Sequence, residues 1–196
     1  MYTLAADEKA TTVMIYSQNM LVRGEVALKQ NVRVSIWLRT QGMPNFIHVY
    51  KTQALVFGGA SPKTLNYEEM FFPTSQAIGF HIAPPAADSM DYDATEAGRR
   101  MLDLTLLMGT FSLKARTRIS THADFATSID VARSVWMSLY DAEIANTFFP
   151  SMPVIRVPML LVRPDQVSFA MGQLVTAILA VRLARPLREL ALSLPQ

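Results

Sequence analysis

The sequence contains no cysteine. That excludes disulfides, thiolate metal sites and thiol catalysis, and it argues against a small secreted fold held by covalent staples. Charge is also sparse: 17% of the 196 residues are charged and the net charge is +2, so no strong field draws in nucleic acid or an acidic partner. No apolar run reaches the roughly 18 residues that a transmembrane helix needs. The N-terminal stretch "MYTLAADEKATT" lacks the basic-then-apolar order of a signal peptide. These absences predict a soluble, cytoplasmic globular protein. What is present supports a core: 51% of residues are hydrophobic, too many for a disordered chain. Most of the 18 cations are arginine, which suits bidentate or stacked contacts.

The chain repeats itself. Residues 71–82, "FFPTSQAIGFHI", lie against 160–171, "LLVRPDQVSFAM", with apolar matches at Phe71/Leu160, Phe72/Leu161, Ile78/Val167, Phe80/Phe169 and Ile82/Met171. At the same offset of 89, "FIHVYKTQALVF" (46–57) lies against "VWMSLYDAEIAN" (135–146); at an offset of 91, "VMIYSQNMLVRGEVAL" (13–28) lies against "LTLLMGTFSLKARTRI" (104–119). Three segments in the same order, with an offset that drifts by a loop-sized indel, predict an internal duplication.

Each half reads as strands. "VRVSIWLRT" (32–40) alternates with period two, Val34, Ile36 and Leu38 facing one way and Arg33, Ser35, Trp37 and Arg39 the other; "KARTRIS" (114–120) sets Lys114, Arg116 and Arg118 on one face. "TQGMPN" (40–45) and "FGGASPK" (57–63) read as turns. The expected organisation is a first β unit over 1–83, a linker over 84–100, a second β unit over 101–171 and a helical tail over 172–196. Pro84-Pro85 should stop the last strand of the first unit, and Asp93 with Glu96 should cap a short helical turn. The fold class is mainly β: two tandem small β-barrels or half-barrels closed by a C-terminal helix.

In segment order and size, two such units resemble SH3-like and Sm-like small barrels. The glycine and aspartate that mark Sm proteins around the second and third strands are missing here. The stretches "RVSIWLRTQG" and "RVPMLLVRPDQVSFAM" look like an uncharacterised bacterial family with the same double layout. That resemblance implies a fold and no activity, so it carries no catalytic residue to this chain.

Few residues offer chemistry. His48 and His81 fall in expected strands, with Met137 and Ala170 as repeat counterparts, and His122 falls in a loop. No duplicated ligand set follows, and no metal or cofactor is expected. "STHADFATS" (120–128) clusters Ser, Thr, His and Asp in a polar loop without a nucleophile elbow. Asp88, Asp91, Asp93 and Glu96 crowd the linker but lack the glycine of a calcium loop. "FGGASPK" lacks the spacing and Lys-Ser/Thr ending of a phosphate loop.

Two candidate surfaces remain. Arg33, Trp37 and Arg39, with Arg23 and Lys29 beside them, combine cations with an aromatic that could stack on a nucleic-acid base or dock a peptide. In the tail, Leu174, Ile178 and their apolar neighbours surround a helix, while Arg182, Arg185 and Arg188 recur every three residues. That pattern fits packing against the protein itself or a second subunit, and secondarily a membrane surface. The expected function is a non-catalytic interaction or assembly protein, self-associating as a homo-oligomer through strand edges or the tail. The alternatives are a nucleic-acid binder using the Trp37 face and an enzyme with a site between the units.

Overall fold

The computed structural model describes residues 3–40, 44–59, 61–131 and 134–171. Their strands are β1 (Glu8–Tyr16), β2 (Met20–Lys29), β3 (Phe46–Val56), β4 (Lys63–Pro73), β5 (Gly79–Ile82), β6 (Arg99–Met108), β7 (Phe111–Ser120), β8 (Met137–Asn146), β9 (Ile155–Val162) and β10 (Ser168–Ala170). Two short helices interrupt them, α1 (Val34–Trp37) and α2 (Phe125–Asp130). Thr74–Gln76 and Pro164–Gln166 form single 3₁₀ turns before β5 and β10. The fold is mainly β, as expected. Among the described residues no helix is long and apolar enough to cross a membrane.

All ten strands belong to one unclosed antiparallel sheet, ordered β10-β6-β7-β8-β9-β5-β1-β2-β3-β4. The first half contributes β5-β1-β2-β3-β4 and the second β10-β6-β7-β8-β9. They join where β5 pairs with β9, Gly79 opposite Val162 and Phe80 opposite Leu161. This central seam explains an otherwise unusual run. Val13, Met14, Ile15 and Tyr16 are consecutive and all buried, because β1 has a core on each face. Val13 and Ile15 join Val22, Ile47, Phe72 and Phe80 on one side. Met14 and Tyr16 join Leu106, Phe111, Leu139 and Leu160 on the other. Fully burying each of the larger side chains contributes about 1.5–3 kcal/mol, and the seam residues Phe80 and Leu161 are among those buried.

Both halves kink the same way. β2 and β3 lose register between Arg23 and Glu25, and β7 and β8 lose it between Lys114 and Arg116. At these bulges Lys51 and Asp141 adopt left-handed φ values of 48° and 49°, an uncommon state for side chains of this kind. Each is held by an opposite charge on the neighbouring strand, Lys51 by Glu25 at 2.9 Å and Asp141 by Arg116. Gly24 makes the first kink possible, since a Cβ there would lie 2.4 Å from Val49 Cγ1 and 2.8 Å from the Tyr50 carbonyl oxygen.

Three expectations change. Residues 32–40 are not a strand: Val34–Trp37 form α1, closed by the Trp37 N–H to the Arg33 carbonyl (2.9 Å) and the Leu38 N–H to the Val34 carbonyl (3.1 Å). Val34 and Leu38 are buried, but Ile36 is 54% exposed; an i, i+4 pair, not a period of two, faces the core. Asp93 and Glu96 stand in turns rather than at a helix start, where Asp93 accepts hydrogen bonds from the Thr95 N–H and hydroxyl. The left-handed residues 51 and 141, like the two 3₁₀ turns, lie 90 positions apart, so the offset of 89 is one short for 46–57 and for residues 71–76. The expected C-terminal helix falls outside the described residues. β5 ends at Ile82, just before Pro84-Pro85, as expected.

Candidate functional site: the linker cluster and the sheet edges

The acidic linker lies across the two halves, and its carboxylates have separate tasks. Asp88 accepts from the buried Ser35 hydroxyl at 3.3 Å, holding the start of α1. Asp91 accepts from Arg39 after α1 (2.6 Å) and from Ser138 Oγ (2.5 Å) and Tyr140 Oη (2.7 Å) on β8. Burial works against the Asp91 carboxylate, but the hydrogen bonds from Ser138, Tyr140 and Arg39 and the arginine charge outweigh it and hold its pKa below the usual range. Burial, then the facing Asp91, push the Tyr140 phenol above its ordinary value. Tyr92 packs edge-on against Tyr140 at 4.7 Å, Arg118 lies over the Tyr92 ring at 4.9 Å, and Glu96 pairs with Arg118 at 2.7 Å.

Arg39, Asp91, Arg118, Ser138 and Tyr140 line a cleft of about 250 Å³ that also includes Thr117, Phe125 and Ser128. Chemically the cluster is closed on itself. The Asp91 carboxylate is occupied by three donors and the Arg118 guanidinium by Glu96 and Tyr92, so the observed contacts tie α1, the linker and β8 together. Among the described residues no group of three or more histidines, aspartates and glutamates could hold a metal ion. The "STHADFATS" polar cluster is a helix cap: the Asp124 carboxylate accepts from the Thr127 N–H at 2.7 Å and its carbonyl from the Ser128 hydroxyl at 2.7 Å.

The structure disperses the basic-aromatic face. Arg33 is exposed at the start of α1, Trp37 is half-buried with its ring 6.3 Å from Phe80 in an edge contact, and Arg39 is turned to Asp91. Arg23 lies on β2, opposite Met14 and Gln53. Lys29 ends β2 bound to Asp7 at 2.7 Å. The cause is α1: a strand would set residues 33, 37 and 39 on one face, whereas a helical turn keeps the i, i+4 pair 33 and 37 together and turns residue 39 to the other side. The second basic stripe is a strand face as expected, but it is countered by Glu96 and Asp141, with Glu143 opposite Lys114. Leu174, Ile178, Arg182, Arg185 and Arg188 lie outside the described residues.

His81 takes an interior role. It is 3% exposed, its Nδ1–H donates to the Ile82 carbonyl at 2.7 Å and its Nε2 accepts from the Tyr16 hydroxyl at 2.9 Å. Desolvation lowers its pKa to about 4, against a smaller opposing effect of the Ile82 bond.

The remaining feature is the pair of sheet ends. β4 is an 11-residue edge strand on which every residue from Lys63 to Glu69 is exposed. It presents Leu65, Tyr67 and Phe71 to solvent, with Phe46 exposed on neighbouring β3. Long, partly apolar edges of this kind present a row of backbone groups ready to pair with another strand. Sequence reasoning missed β4 as an edge because neighbour order is not written in periodicity. No known protein family, curated protein or solved structure was found to match this chain.

Proposed function

We propose that this chain is a non-catalytic assembly protein: two five-strand units of common origin, each a small barrel or half-barrel, fused in tandem and self-associating through the free ends of their shared sheet in the cytoplasm. The observation that carries this reading is the sheet order. The halves run through their strands in the same sequence and meet edge to edge within one chain, so the unit already uses an exposed strand edge as its joint. The exposed apolar side chains Leu65, Tyr67 and Phe71 along β4 support it further, since an unpaired strand edge is a template for pairing with another chain.

A nucleic-acid role through Trp37 draws little support once Arg39 is paired with Asp91, Trp37 is half-buried against Phe80 and the second stripe is countered by acids. The test is light scattering on the purified full chain over a range of concentrations and at low and high salt, with absorbance read at 260 and 280 nm. Concentration-dependent, salt-tolerant association without nucleic acid is expected. A monomer at every concentration would refute the proposal, and a salt-sensitive nucleic-acid load would replace it with the alternative.

A further inference from the structure

The internal seam specifies how a second copy would attach. The 3₁₀ turns and left-handed bulges set an offset of 90 from β3–β4 to β8–β9. On that offset Leu161, Val162 and Arg163 correspond to Phe71, Phe72 and Pro73. On the β5 side, Gly79 and Phe80 pair with Tyr16 and Ile15, while Ser168 and Phe169 pair with Leu107 and Leu106. The β1–β2 and β6–β7 hairpins superpose at an offset of 91, which makes Tyr16 equivalent to Leu107, hence Gly79 to Ser168 and Phe80 to Phe169. The strands joined in the seam, β9 and β5, therefore have their counterparts at the two ends of the sheet that the described residues leave open, β4 and β10.

From this correspondence, and resting on the assembly reading above, we infer that β10 of one copy pairs antiparallel with β4 of the next, Phe169 opposite Phe71 and Ser168 opposite Phe72. Burial agrees with an unfilled joint. Leu161 is 2% exposed inside the seam, whereas its counterpart Phe71 is 53% exposed; likewise Phe80 is buried and Phe169 only half-buried. Because β4 and β10 differ, each pairing leaves one free edge of each kind. The contact is heterologous, and it propagates until a ring closes.

One position weakens the outer joint relative to the inner. Across the seam the Arg163 N–H donates to the Ile78 carbonyl at 2.9 Å. Its counterpart is Pro73, which has no N–H to give. The next residue, Thr74, donates inward to the Asn45 carbonyl at 2.9 Å, so the Pro73 nitrogen faces the open edge. The outer joint is one hydrogen bond poorer, and unlike the seam it forms between separate molecules, so it is the reversible one.

The absence of cysteine permits a direct test. Phe71→Cys and Phe169→Cys are made as separate full-length variants, checked for folding by thermal melts, mixed and mildly oxidised. Directly paired strand residues lie within disulfide reach, so the expected product is the mixed dimer, in clear excess over either homodimer. Predominant Phe71→Cys homodimers would mean a two-fold β4–β4 contact and overturn the inference. Association by light scattering without any mixed disulfide would overturn this register while leaving self-association standing; a strict monomer would remove both. Pro73→Arg supplies an independent reading that needs no change in β10. Restoring one N–H should tighten association about five-fold, the worth of one neutral hydrogen bond, and unchanged or weaker association would count against the joint.

Discussion

The buried Tyr16–His81 pair makes stability depend on pH in a calculable way. His81 must be neutral in the fold: its Nδ1–H is committed to the Ile82 carbonyl and its Nε2 lone pair receives the Tyr16 hydroxyl. Its pKa falls from 6.5 to about 4 on folding, so the unfolded chain takes up the proton first. Stability from this group is fully present above about pH 6.5, declines as the pH falls toward 4, and levels off below it. A shift of this size corresponds to about 3 kcal/mol, and the side chain is too deeply buried for solvent to screen much of that. Asp91 and Asp124, whose pKa values are lowered, add their own acid sensitivity, but only at and below the carboxylate range. Urea unfolding of the wild type and of His81→Gln at pH 7.5, 6.5 and 5.5 isolates the histidine. The wild type should lose on the order of 1 kcal/mol between pH 6.5 and 5.5, and the variant should be flat across that interval although less stable at pH 7.5. Equal slopes for the two proteins would refute the assignment. His81 is next to Phe80 of the seam, so mild acid should also lower the protection factors of the backbone amides in β5.

Other substitutions probe the cluster and the kinks. Asp91→Ala removes the acceptor shared by Arg39, Ser138 and Tyr140; it should cost about 2–3 kcal/mol, and a thermal melt within a degree of wild type would show that the linker is not fastened there. Gly24→Ala should cost about 1–3 kcal/mol, because its new methyl meets both the β-branched Val49 and a backbone oxygen. Gly79→Ala should cost less, since the two nearest atoms, Sδ at 2.4 Å and Cε at 3.0 Å, belong to the flexible Met108 side chain. Chemical denaturation that reversed this ranking would contradict the packing described.

How far the strands could be read in advance depended on the length of the pattern. In β7 five inward positions alternate with three basic residues and two serines over ten residues, and no helical phase fits them. Residues 32–40 offered three apolar positions at 34, 36 and 38, which a strand and a single helical turn share at both ends; only the exposure of Ile36 separates them, and exposure is tertiary information. The offset error at 46–57 has a similar origin. Apolar classes on neighbouring β positions are interchangeable, whereas the left-handed residues that fix the register are a lysine in one half and an aspartate in the other, with no glycine to mark them. Each pairs with an opposite charge on the adjacent strand, which no local window contains.

The acidic linker shows why the candidate site was harder to read than the fold. Asp88, Asp91, Asp93 and Glu96 sit close together in sequence, as a solvated spacer or a calcium loop would require, yet they are directed to Ser35, to Arg39 with Ser138 and Tyr140, to Thr95, and to Arg99 with Arg118. Arg39 and Arg118, which look like free cations in the sequence, are two of those destinations. A phosphate seeking either guanidinium must displace a carboxylate already in place, at a net charge of only +2. The exposed edge of β4 has no such internal competitor among the described residues: Phe71 and Tyr67 face solvent beside an unpaired strand edge. Between a surface whose charges are already satisfied and one whose apolar side chains and backbone groups are not, association has the larger free energy to gain at the edge.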